Sequence, residues 1–418
     1  MELPEDFDRR MREIVERLLR YDTTDGNEKA AQEWLESALS ELGFETYTWL
    51  ADAEQLAEHP SFPPANELDV ADRPSVAGVL EFGNPNAGRT VILNGHIDIV
   101  PAETETWSSD PFEPIWRDGR LIARGAVDMK SQLVACVFAA KALEANPVSD
   151  DLDGRVVVES VVGEEEGGIG AAAAALSNPY PFERDAAIMA EPTDLSVVTA
   201  TEGTCMKRLE ITGRSAHAAT RWRGEDVLPH FERIRHAFMD LETERAERVT
   251  HPLYDRFENP WPIVIGTVRA GSWASSVPAN LVAELRLGVS PSETVDDVEA
   301  EFEERLAEVV ADSEWLSDHP PTFERFSIQF EPGEIDPDEP IVDAVQSALR
   351  AAGITNTDPE GRTYGADNRH YIQAGIPTVV FGPGAVEEAH FPDESIEWAD
   401  VLTGTELLAD AAHRFLAD

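Results

Sequence analysis

The stretch RVVVESVVGEEEGGIGAAAAAL, residues 155–176, runs from a β-branched segment through three adjacent glutamates and a glycine cluster into alanines. A short apolar run rich in valine and bounded by turn residues reads as a buried strand, and the alanines open a helix on high helix propensity. Strand, turn and helix in succession are the building unit of an α/β layer. The glutamates need a reason to be there, because a carboxylate at the edge of a core costs several kcal/mol unless a positive partner is close. Taken alone, the segment is equally compatible with a solvated acidic turn.

Outward from this stretch the same alternation continues. Residues 75–82, 90–100, 155–163 and 185–191 read as strands, and 7–20, 28–43 and 129–145 as helices, the second following capping groups in TTDG. The pattern predicts a mostly parallel sheet with helices on both faces, whose ligands gather beyond the carboxyl ends of the strands. From residue 204 the order changes to strand 206–213, helix 225–244, strands 262–271 and 278–289, helix 295–310 and strand 325–330. That is an inserted α+β, ferredoxin-like layer. After the Pro and acid rich hinge 331–340 the α/β pattern resumes with helix 341–352 and strand 376–384. The expected division is a discontinuous catalytic domain, 1–203 and 332–418, interrupted by a smaller domain, 204–331.

A chain of 418 residues is long enough for two cores. Its 81 acidic residues against 33 Lys and Arg give a net charge of −48, with lysine only at 29, 130, 141 and 207. Acid spread over every segment suits a protein of a high-salt cytoplasm, where at 1 M salt the Debye length is about 3 Å. The same field disfavours nucleic acid or an anionic membrane as partner. Cys136 and Cys205 lack CxxC spacing and are expected as free, buried thiols. No apolar leader or run of about 20 apolar residues is visible, so a cytoplasmic protein is expected.

The strand ends hold the chemistry. His96 and Asp98, two apart, share a side if their strand is regular; Asp128 follows a glycine turn; the glutamates at 164–166 close one strand and Glu191 another; His390 lies beyond the last one. Imidazoles with carboxylates form a ligand set for zinc, cobalt or manganese. Each of these residues alone is more often structural. No GxSxG elbow or HExxH helix is present, and GGIGAAAA lacks dinucleotide-loop spacing, with carboxylates just before it that would repel a pyrophosphate.

The ordered set GHIDIVP, ARGAVDMK, GEEEGGIG, EPT, GRSAHA and FGPG…AH resembles, from end to end, the metallopeptidase family of acetylornithine deacetylase, succinyl-diaminopimelate desuccinylase, aminoacylase and glutamate carboxypeptidase. The resemblance implies two divalent ions, most simply zinc, with cobalt or manganese as alternatives. It implies Asp128 as the bridge, His96 and Glu191 completing one site, and Glu165 and His390 the other. Asp98 would orient His96, and Glu164 would be the general base acting on hydroxide held between the ions. Four positive charges against three carboxylates keep that cluster cationic. Glu166 is left as a solvated turn residue. His217, in the insert, would reach the partner subunit's site in a homodimer formed through the inserted domain. The remaining histidines, at 59, 230, 236, 251, 319, 370 and 413, are expected at the surface or in packing, with His370 nearest the site.

Several family members bind the substrate carboxylate with an arginine at a position that is Gly288 here. Arg286, two residues earlier, is a substitute on the same strand face, and Asn280 and Arg369 are further substrate candidates. The segment looks most like the acetylornithine deacetylase-like branch, which includes deformylases and deacylases. The expected activity is hydrolysis of the N-acyl amide bond of an N-acyl amino acid or related small amine. The alternatives are a dipeptidase or carboxypeptidase using the same site, and a non-catalytic binding relative.

Overall fold

The computed structural model describes all 418 residues. Four parallel strands, in the spatial order Gly154–Val161, Arg89–His96, Ala186–Met189 and Thr378–Val380, form the middle of a nine-stranded sheet. Antiparallel strands extend it, Ser75–Phe82 and Glu45–Trp49 on one side, Val198–Thr201 and Gly333–Glu334 on the other, and the ninth strand, Glu360–Arg362, pairs parallel to Val198–Thr201. The strands that carry the candidate site are all in the parallel middle of the sheet.

Period-two alternation sorts the valines between the two faces of the sheet. Val91, Leu93, Val156 and Val158 face a large core packed by helices Phe7–Leu19, Ser131–Ala145, Pro340–Ala351 and Trp398–Ala417. Ile92 and Val157 face a smaller cluster with Ala171, Tyr180 and Tyr371. Burying each such side chain contributes about 1.5–3 kcal/mol.

Residues 203–325 build a second, antiparallel sheet in the order Ile263–Ala270, Asn280–Val289, Gly203–Thr212, Thr322–Arg325. Helices Val227–Arg248 and Val295–Ala311 cover it, and Phe238, Phe302, Leu209 and Leu285 share its separate core. Cys136 and Cys205 are free and buried, one in each core. No helix is long and apolar enough to cross a membrane.

Several expected boundaries shift for local reasons. The strand expected over 90–100 stops at His96, because its parallel neighbour ends at Val161 and turns at Gly163 (φ +68°). The helix expected from 129 starts at Ser131, since the backbone of Asp128 and Met129 is non-helical (φ −136° and −135°). The TTDG groups do not cap the second helix: Thr23 Oγ1 donates to the Ile97 carbonyl instead, at 2.7 Å. In place of a continuous strand over 325–330, the ladder breaks after Arg325, the chain bends at Ser327 (φ +57°), and a single antiparallel bridge to Thr204 returns at Phe330.

Candidate metal centre

All four central strands end at one edge of the sheet, and their following turns deliver the candidate ligands there. His96 is the last residue of its strand, the Glu164–Glu165 turn follows Val161, Glu191 follows Met189, and His390 lies in the loop beyond Val380. Asp128 sits just ahead of helix Ser131–Ala145, which crosses over between two of these strands. Asp128 presents its two oxygens in two directions: Oδ1 lies 3.0 Å from His96 Nε2 and Oδ2 lies 3.4 Å from His390 Nε2. Glu165 Oε1 is 3.0 Å from the same His390 nitrogen, and Glu191 Oε1 is 4.0 Å from His96 Nε2. Two ligand groups result, His96 with Asp128 and Glu191, and Asp128 with Glu165 and His390; in each the ligand atoms lie within 4.8 Å of one another. Glu191 Oε1 is buried without a hydrogen-bond partner, a cost that a cation at this point would remove. Imidazole nitrogen and carboxylate oxygen at these spacings fit a borderline divalent ion at each group.

The electrostatics tell the same story. Burial opposes ionisation of Asp128, yet its hydrogen bonds to His390 and His96 hold its carboxyl far below the usual range. Burial likewise opposes protonation of His96, but Asp128 and Asp98 outweigh it and push the imidazole well up. Hydrogen bonds donated to Asp128 and Glu165 raise His390 to about 10. Burial pushes Glu191 up to about 8, and burial, with Asp367 and Glu191 as neighbours, raises Glu164 well above the carboxylate range.

Asp98 supports two neighbours by different atoms. Its main-chain carbonyl lies 2.9 Å from His96 Nδ1, its carboxylate stands 3.6 Å from that nitrogen, and Oδ2 accepts from the Glu165 amide at 3.0 Å. Glu166 is not merely solvated: its carboxylate pairs with the buried guanidinium of Arg73, which also takes the fully buried Glu28. The turn bearing Glu164 and Glu165 is thereby tied to the body of the fold. Arg369 is enclosed by the protein in this arrangement. Fully buried over the Phe330 ring, it donates to the Ala366 carbonyl at 2.9 Å and the Gly167 carbonyl at 2.7 Å. His370 also contacts the Gly167 carbonyl at 3.1 Å and stacks on Phe62; burial lowers its pKa well below the ordinary value, so it is a neutral packing residue. Asp367, which the motif reading passed over, is buried with both oxygens unpartnered, and burial raises it to about 7. Gly168 (φ +79°) is required beside it, since a Cβ there would collide with Asp367 Oδ1.

The insert's candidates do not join this cluster within one chain. His217 is exposed, its Nδ1 accepting from Ala219 N at 3.1 Å, and its backbone pairs with Ser276. Asn280 is exposed at the start of its strand, close to the His217 loop, where Val277 N donates to the Ala216 carbonyl at 2.9 Å. Arg286 lies six residues further along, about 20 Å at roughly 3.4 Å per residue. Its guanidinium is engaged by Glu202, at 3.2 and 3.1 Å. An added Cβ at Gly288 would collide with Glu202 Oε1, so the acid fills the space beside that position. Burial pushes Glu202 up to about 7 against the pull of Arg286. Glu202, Arg73 and Asp367 were missed because nothing marks them in a chain with 81 acidic residues; only their burial does.

Residues 92–414 match the profile of Peptidase family M20/M25/M40. The chain is 29% identical over 366 residues to an N-formyl-4-amino-5-aminomethyl-2-methylpyrimidine deformylase of Halalkalibacterium halodurans, covering 80% of this chain and 81% of that protein. It is 28% identical over 333 residues to an acetylornithine deacetylase of Pectobacterium atrosepticum, covering 78% and 80%. The fold is shared with a dinuclear metal-binding peptidase of Bacillus subtilis, at TM-score 0.65, 15% identity and 99% coverage of both chains.

Proposed function

Because the chain belongs to Peptidase family M20/M25/M40, a family of amide-bond hydrolases, we propose that it cleaves the N-acyl amide bond of an N-acyl amino acid or related small amine. The observation that carries this reading is Asp128, one carboxylate facing two histidines and closing two ligand groups. His96, Asp128 and Glu191 would hold one divalent ion, and Asp128, Glu165 and His390 the other, with zinc the best match to the donors. When bound, such ions supply Lewis acidity toward the scissile carbonyl and make a water more acidic.

The chain's own residues do the rest. The Asp98 carbonyl accepts a hydrogen bond from His96 Nδ1–H, which keeps the proton there and leaves Nε2 as the ligand atom. Glu164 takes a proton from the attacking water and delivers it to the leaving nitrogen as the carbon–nitrogen bond breaks, releasing a carboxylate and an amine. With Arg286 held by Glu202 and Arg369 by carbonyls, neither is free for a substrate carboxylate. That arrangement, with the likeness to a deformylase of an aminomethylpyrimidine, favours the small-amine end of the class.

The chain is organised in this reading as a catalytic domain, 1–203 and 332–418, and a dimerisation domain, 204–331. Strand Ile263–Ala270 is paired on one side only, and Val264 and Val268 on it are 48% and 46% exposed. An exposed apolar edge strand is a template for a second copy. Trp222 and Trp273 stand exposed on the loops around His217, which would cross with Asn280 to the partner's site and stabilise the oxyanion.

The test is release of free amine from N-formyl, N-acetyl and N-succinyl amino acids, an N-formyl aminomethylpyrimidine and dipeptides, in molar salt, with and without a chelator. Chelator-sensitive cleavage of N-acyl substrates is expected. Cleavage of dipeptides alone would replace this reading with a peptidase, and metal-independent cleavage would overturn it.

A further inference from the structure

One buried ion pair behind the centre has no part in the chemistry above. Glu394 and Arg124 are 2% and 3% exposed and lie 2.6 Å apart through Glu394 Oε2 and Arg124 Nη1. The other oxygen, Glu394 Oε1, accepts two consecutive main-chain amides, Val127 N at 2.8 Å and Asp128 N at 3.2 Å. The other guanidinium nitrogen, Arg124 Nη2, donates to the main-chain carbonyl of His390 at 3.4 Å. A closed circuit follows: Asp128 amide, Glu394, Arg124, His390 carbonyl, and back through the side chains, where Asp128 Oδ2 lies 3.4 Å from His390 Nε2.

Stability alone does not explain this pair. A buried ion pair seldom outperforms well-packed apolar residues, and Glu394 adds negative charge beside a centre already crowded with carboxylates. Geometry does explain it. Asp128 is extended, outside the helix that follows, so no helical hydrogen bond fixes its amide. Its side chain is short, so where its two oxygens lie follows directly from where its main chain is held. His390 occupies the left-handed region (φ +63°), a conformation that a non-glycine residue keeps only when its surroundings impose it.

We propose that Glu394 is a positioning residue that holds Asp128 between the two ligand groups and, through Arg124, fixes the His390 loop at the matching distance. The inference rests on the dinuclear reading above. Outer partners of this kind are worth about 10–100-fold in metal affinity. Because Asp128 belongs to both groups, loosening Glu394 weakens both ions; loosening Arg124 at its His390 contact weakens only the ion held by Glu165 and His390.

Two variants separate these effects. Glu394→Asp keeps the charge beside Arg124 but draws the oxygen back from both amides by one methylene. Arg124→Lys keeps the charge beside Glu394 but has no fork to reach the His390 carbonyl. Chelator-treated protein is titrated with cobalt(II), the two affinities and the visible spectrum are recorded, and melting of the metal-free forms reports folding. For E394D, both affinities are expected to fall about 10–100-fold, with an altered cobalt spectrum and metal-free melting within a few degrees of wild type. For R124K, one affinity is expected to fall by that factor and the other to stay within about threefold. Wild-type affinities in folded E394D, or equal affinities for both ions in R124K and wild type, overturn the proposal. Should metal-free E394D not fold, the R124K result decides alone. A wild-type chain that takes up fewer than two ions overturns the dinuclear reading itself.

Discussion

Replacing Arg286 with methionine strands Glu202, and the cost should depend on pH in a way that identifies the pair. The Glu202 side chain is fully buried, and each of its oxygens accepts from Arg286, at 3.2 and 3.1 Å. Burial pushes its pKa up to about 7 even with the arginine in place, against 4.5 in an unfolded chain. Between those two values the native state holds a proton that the unfolded state has lost, so stability falls as pH rises through the window. In the wild type the fall ends near pH 7, because above it both states are ionised. Without Arg286 the carboxyl holds its proton to higher pH and the fall continues. Below about pH 6 Glu202 is protonated in both proteins, and methionine keeps much of the stem's packing, so the difference there should be small. Above pH 7 it should grow by about 1.4 kcal/mol per pH unit. It is capped at the roughly 3–5 kcal/mol typical of breaking a buried pair. Urea unfolding of metal-free protein at pH 6, 7, 8 and 9, at constant molar salt, reads this directly. An offset that is the same at every pH would refute the reasoning. If that flat offset came with a raised KM for carboxylate-bearing substrates only, Arg286 would be a substrate arginine after all.

Val268→Asp places a charge on the open strand edge and is expected to turn a dimer into a monomer by light scattering, with loss of turnover but metal binding retained; a dimer that persists would put the interface elsewhere. Arg73→Met removes the partner of fully buried Glu28 and should cost about 3–5 kcal/mol in denaturant unfolding. Glu166→Gln, at a side chain 41% exposed, should cost under about 1 kcal/mol, and equal losses in the two variants would contradict the described division of that network.

The convergence of the candidate ligands was legible because most of them follow strands whose ends share one edge, while the choice among the three adjacent glutamates came only from the family resemblance. His96, Asp128, Glu191 and His390 needed no side-chain knowledge to be brought together. What was not legible is who neutralises whom. Arg286 and Arg369 read as substrate-binding candidates, but one answers a buried glutamate that nothing in its own segment announces, and the other donates to the Gly167 and Ala366 carbonyls. Glu166 read as solvent-facing because Arg73 lies 93 residues away in the chain. Asp98 was expected to steady His96 with its carboxylate, but the strand ends at His96, and from that geometry the main-chain carbonyl comes closer. Periodicity reports faces and ends; long-range ion pairs between irregular segments leave no period to read.

The most direct test of the central claim is Glu164→Gln, which replaces the proposed base with a group of nearly equal size that cannot carry the proton. Metal content and the rate of amide cleavage are measured on the same preparation. Two ions per chain with affinities within about threefold of wild type, and turnover lower by about 10²–10⁴, are expected for a general base beside an intact centre. Turnover within tenfold of wild type, or loss of an ion together with activity, would contradict the assignment of Glu164 as that base.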